Sequence, residues 1–129
     1  MTDRSDRTAA AARRTYRHGD LRRALLDAGI ALAREGGPDA IVLREATRRA
    51  GVVPNAAYRH FASRQALFEA VRAAALGALA RVIERRWARA QHIADPAARA
   101  RALLRAVGAG YLAFAQAETG LFRTAFAAG

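Results

Sequence analysis

Asn55, Tyr58, Arg59 and His60 follow Pro54 within about two helical turns. An asparagine amide can pair bidentately with adenine. A small residue such as Ala56 can touch a thymine methyl, and phenol and imidazole groups can donate to phosphate oxygens. This chemistry suits reading the edge of a duplex better than breaking bonds. Arg44, Arg48 and Arg49 lie just upstream and can reach backbone or guanine. Arg64 lies downstream in a helix's first turn, where backbone N–H groups would add to its attraction for the next phosphate. Each residue alone has an ordinary reading: Tyr58 as a core tyrosine, His60 as a helix-end histidine, the arginines as a solvated face. Taken together, beside a glycine turn, they point to DNA.

Such side chains need a scaffold that holds one short helix outward. The spacing predicts a short helix over Leu43–Ala50, a turn at Gly51, and a second helix from Pro54 to about Phe61, with proline suited to a first helical position. Ala57 and Phe61 are one turn apart and should face the core. This pattern is the sequence form of a helix-turn-helix, which lays its second helix in the major groove. A helix over about Asp20–Glu35 precedes it, with Leu21, Leu25, Ala28 and Leu32 as its apolar stripe, Asp20 as its cap and Gly36-Gly37-Pro38 as its stop. Glu45 sits where a capping-box carboxylate would reach back to the helix start. Ser63 should cap a long helix to about Gln91, and Asp95-Pro96 should start another to about Glu118. Gly120 breaks it, and Leu121, Phe122 and Phe126 begin a last short helix. The fold class expected is all-α: a three-helix helix-turn-helix head joined by a long fourth helix to a partial helical body. The expected divisions are a flexible basic arm at 1–16, a DNA-binding domain at 17–65 and a partial ligand-binding and dimerisation domain at 66–129. The arm either touches DNA backbone or minor groove, or is an ordinary tail.

The formal net charge is +11, and all 22 basic residues are arginine. The absence of lysine fits a coding bias that favours arginine and alanine, but that bias does not explain the excess of base over acid. The excess favours an anionic partner, either nucleic acid or an acidic membrane surface. With no cysteine, disulfides, thiolate catalysis and cysteine-ligated zinc are excluded. No apolar run nears the roughly 18 residues a membrane-spanning helix needs, and the N-terminal residues lack the apolar core of a signal peptide. A cytoplasmic protein is the expectation, with no membrane partner. An enzyme is not expected. Ser5 and Ser63 are the only serines, His18, His60 and His92 have no metal-ligand spacing, and no glycine-rich phosphate loop follows a strand pattern. No metal and no cofactor is expected.

From about Arg17 to Val71 the chain resembles the N-terminal domain of the TetR family of bacterial transcriptional repressors. The resemblance rests on EGGPDA, then LREATRRAGV, YRHF and SRQALFEAV, in order and at matching spacing. The segment GYLAFAQAETGLFRTAF is also similar to the middle of some family bodies. The resemblance implies that Arg44, Pro54, Asn55, Ala56 and Tyr58 meet bases or their edges, while His60 and Arg64 meet phosphates. It also implies a ligand-responsive repressor that binds a palindromic operator as a homodimer. Val42 and Val53 depart from the family pattern by lacking the usual polar cap. Ala46 and Ala57 stand where larger aliphatics usually pack, which predicts a less stable or more mobile head. The family's dimer is usually built from two further helices, so this chain is expected either to be a fragment or to dimerise another way. A small-molecule effector between the fourth and fifth helices would meet Trp87, Leu104, Val107, Tyr111 and Phe122, whose alternative reading is ordinary core packing. The competing function is a basic helical protein that binds nucleic acid or anionic membrane through charge alone.

Overall fold

The computed structural model describes the backbone of residues 4–128 and the side chains of residues 19–128. Six α-helices follow one another: α1 (Arg4–Gly36), α2 (Leu43–Ala50), α3 (Pro54–His60), α4 (Arg64–Ala90), α5 (Pro96–Ala117) and α6 (Thr119–Ala125). A single 3-10 turn, Pro38–Ala40, links α1 to α2, and no strand occurs among the described residues. The all-α class is as expected.

Two starts differ from expectation. Helix α1 begins at Arg4, not Asp20, so Asp20 lies inside the helix and caps nothing. The residues before it are rich in alanine and arginine, both strong helix formers, and need no apolar stripe to take up helical backbone. The arm expected at 1–16 therefore overlaps α1 from Arg4 onward. Its proposed DNA contacts fall on side chains outside the described residues. Helix α6 begins at Thr119, two residues earlier than expected, because Glu118 ends α5 and starts α6 with no spacer between them.

The other boundaries follow local chemistry. The Ser63 side chain accepts from the Ala66 N–H at 3.1 Å, and Asp95 accepts from the Ala98 N–H at 2.8 Å. Val42 and Val53, at the starts of α2 and α3, make no side-chain cap, as their hydrocarbon side chains dictate. One core runs through the molecule. Leu25, Leu32, Ile41, Phe61, Leu67 and Val71 are buried in it with Ala46 and Ala57, and Phe114 and Leu121 extend it towards α5 and α6. Helix α4 is shared: it packs on α1 at one end and on α5 and α6 at the other.

Candidate nucleic-acid interface

Gly51 ends α2 in the left-handed region (φ 68°, ψ 29°), and its N–H returns to the Arg48 carbonyl. A side chain is disfavoured in that conformation, so glycine lets the chain reverse in two residues before Pro54 opens α3. Ala57 (1% exposed) and Phe61 (2%) fix the inner face of α3. The outer face is then set by helical geometry. Pro54, Asn55, Tyr58 and Arg59 are exposed, with Tyr58 at 59%, while Ala56 and His60 are half-buried at its flanks. Tyr58 is therefore not a core tyrosine. Arg44 is exposed on α2, and neither it nor Arg59 has a carboxylate partner among the described residues. Between α2 and α3 lies an open cleft of about 630 Å³, with Val42, Leu43, Arg44, Pro54 and Tyr58 on its walls and the small Ala57 at its base. A larger aliphatic at position 57 would occupy part of that space.

The end of α3 is held from α1. One Arg22 Nη donates to the His60 carbonyl at 3.0 Å, and its guanidinium lies 4.5 Å from the Phe61 ring centroid. One side chain thus satisfies a helix-end carbonyl and stacks on the residue that anchors the helix.

Three other arginines are placed differently from the sequence reading. Arg64 turns back to the α1–α2 link: Nε donates to the Ile41 carbonyl at 2.8 Å and one Nη to the Pro38 carbonyl at 2.9 Å. Its guanidinium also lies 5.5 Å from the Phe68 ring centroid. Two of its donors therefore strap the link to the start of α4 instead of standing open for phosphate. Arg48 and Arg49 are also engaged. Arg49 grips Glu35 bidentately at 2.7 and 2.8 Å and reaches Glu45 at 3.2 Å, while Arg48 donates to Glu45 at 2.6 and 3.0 Å. Glu45 is consequently not a capping-box carboxylate. Arginines three and four residues along the same face offer it charged donors, which outcompete a neutral backbone N–H.

These hydrogen bonds, that from Arg48 foremost, hold the Glu45 carboxyl down to about 2, and the Arg49 fork lowers that of Glu35. A lowered folded-state value means the ion pair stabilises fully above the unfolded value near 4.5 and less as pH falls towards 2. Glu45→Gln is therefore expected to melt below the wild type at neutral pH, with the gap narrowing as pH drops through that window. Parallel thermal melts across the range would show it, and a gap that stays constant would remove the ion pair as its cause.

Residues 25–71 match the family described as bacterial regulatory proteins, tetR family. This head is the N-terminal domain of a TetR-family regulator. The match spans α2 and α3 whole, together with the parts of α1 and α4 that pack against them. The head thus makes the chain a DNA-binding transcriptional regulator of helix-turn-helix type. Neither the curated proteins nor the solved structures gave a match to the chain.

The residues expected around an effector lie on α4, α5 and α6, beyond the matched segment. Leu104 is 76% exposed, Tyr111 and Trp87 also reach the surface, and Val107 and Phe122 are half-buried. Tyr111 and Phe122 each pack against Phe126, with ring centroids 6.2 and 5.0 Å apart. None of the five lines the α2–α3 cleft or the two hollows walled by α1, α4, α5 and α6. The sequence missed the supports of the site: Arg22, the Arg64 strap and the Glu35–Arg49 pair. Each joins residues at least 14 positions apart, beyond any helical period.

Proposed function

We propose that the protein is a non-enzymatic, ligand-responsive repressor that acts in the cytoplasm and binds a palindromic operator as a homodimer. Residues 17–65 are the DNA-binding unit and 66–129 part of the regulatory body. Asn55, Tyr58, Pro54, Ala56 and Arg44 meet base edges. Arg59 and His60 meet phosphates. Arg64 holds the link behind the interface, with its remaining N–H groups available to DNA. The observation that carries this reading is the outward face of α3: Asn55 and Tyr58 exposed at its leading turns while Ala57 and Phe61 lock its opposite side. Two such heads would sit roughly 34–36 Å apart, one DNA turn, or a multiple of it.

Selection from a random duplex library at fixed salt, followed by anisotropy titration, tests the reading. The wild type is expected to enrich one palindromic sequence. Asn55→Ala is expected to flatten preference at one base pair per half-site, a loss of about 1–3 kcal/mol of discrimination there. Equal binding of every duplex by both proteins would return the charge-only reading. The same net charge of +11 supports binding to any polyanion, but it does not account for the residue pattern on α3.

A further inference from the structure

Helix α4 carries Arg81 and Arg85 one turn apart. Neither has a carboxylate partner among the described residues. Both face a hollow of about 310 Å³ between α4, α5 and α6, whose apolar walls include Val82, Phe114 and Leu121. A second hollow of about 350 Å³ adjoins it between α1 and α4, sharing Arg34, Ala78, Arg81 and Leu121, with Leu26 and Ile30 on its α1 side. Gly77 and Ala78 keep the α4 wall low. The Arg81 guanidinium lies back over Gly77, 3.6 Å from where a Cβ would stand.

The charges around this groove are unbalanced. Arg23 pairs with Asp27 at 3.4 Å and Arg34 with Glu118 at 3.1 Å, so two of the four arginines are answered. Arg81 and Arg85 remain, next to hydrocarbon walls that a hydrated counter-ion would not fill. We infer that the α1–α4–α6 groove is a binding site for a small organic carboxylate, with the carboxylate held by Arg81 and Arg85 and a short acyl or aryl tail laid against Leu121, Phe114 and Ile30. The size suits a small organic molecule. Glu118 and Asp27 at the groove disfavour multiply charged anions, which separates this ligand from nucleotides and polyphosphates. The walls come from α1 of the head and from α4, α5 and α6, so an occupant touches both halves of the TetR-type chain. The regulatory consequence, and only that, rests on the ligand-responsive reading above.

Isothermal titration of the full chain with phenylbutyrate, and with the neutral phenylbutyramide of nearly the same shape, tests the site. Phenylbutyrate is expected to bind at least about tenfold more tightly than the amide, since charge-assisted pairs are the stronger ones. The double variant Arg81→Gln, Arg85→Gln is expected to erase that preference, and Ala78→Leu to block both ligands by filling the wall. All three positions reach the surface, and the melting curve of each variant verifies that it folds. Equal binding of acid and amide, a preference that survives the double variant, or no binding by folded wild-type protein would overturn the proposal. Operator titration with and without phenylbutyrate is read separately. A site that binds the acid and leaves DNA affinity unchanged upholds the carboxylate site and ends its regulatory role. Failure to bind the acid, with sequence-specific DNA binding intact, removes the site and leaves the repressor reading standing.

Discussion

Phe61→Ala is expected to cost about 3–5 kcal/mol of folding stability, the range for emptying a buried aromatic site. For a chain of this length that is a fall in melting temperature of about 10–20 °C. The ring is 2% exposed in the shared core, and it is also the platform under the Arg22 guanidinium. Removing it therefore opens a cavity and loosens the Arg22 side chain, which donates to the last carbonyl of α3. Because α3 is only seven residues long, it has little stability of its own and depends on packing for its orientation. Operator affinity should fall more than the loss of folded protein explains. Phe61→Leu keeps most of the volume and should cost far less. Thermal melts of the two variants, with DNA titrations well below their midpoints, provide the comparison. A Phe61→Ala protein within about 1 kcal/mol of wild type would place the ring outside the core.

The same residues show what the sequence could and could not disclose. Helices α2 and α3 were legible almost to the residue because their limits are chemical: Gly51 for the left-handed turn, Pro54 for the first position of a helix. The inward pair Ala57 and Phe61 followed from helical period alone, and so did the exposure of Asn55 and Tyr58. The missing caps at Val42 and Val53 were equally plain, since a hydrocarbon cannot accept a hydrogen bond. Arginine was harder to read. Arg44, Arg48, Arg49 and Arg64 look alike in sequence, each a long cation near the turn. Folding separates them by what lies within reach. Glu35 and Glu45 take Arg49 and Arg48, two carbonyls of the α1–α2 link take Arg64, and Arg44 is left at the surface. The body was less legible still. An apolar stripe on α5 says that some face packs, but not how much of it this chain covers, and Leu104 and Leu112 remain open to solvent.

The join between head and body is where a single atom is expected to matter most. Gly120, in the first turn of α6, crosses the last turn of α1 so closely that a Cβ would stand 2.0 Å from the Ala33 carbonyl oxygen and 2.8 Å from that of Arg34. Those are backbone atoms held in a helix, so no rotamer change relieves the contact. Gly120→Ala must push α6 outward by about an ångström or more, given C···O contact distances near 3.3 Å. Leu121, Thr124 and Ala125, now buried, would lose part of their packing. The expected cost is about 3 kcal/mol, at the upper end for overpacking, and a melting temperature lower by about 10 °C. Gly108→Ala is the control: it lies on α5 with nothing within 4 Å of a Cβ, so it should be neutral or gain up to about 1 kcal/mol from helix propensity. The consequence extends past stability. Arg34 and Glu35 are neighbours on α1, one paired to Glu118 where α5 meets α6 and the other to Arg49 on α2. A displaced α6 strains the first pair, and the same turn of α1 bears the second. Gly120→Ala should accordingly speed amide exchange in both α6 and α2, whereas Gly108→Ala should change neither. Faster exchange confined to α6 would show that the last turn of α1 absorbs the displacement without passing it to the helix-turn-helix.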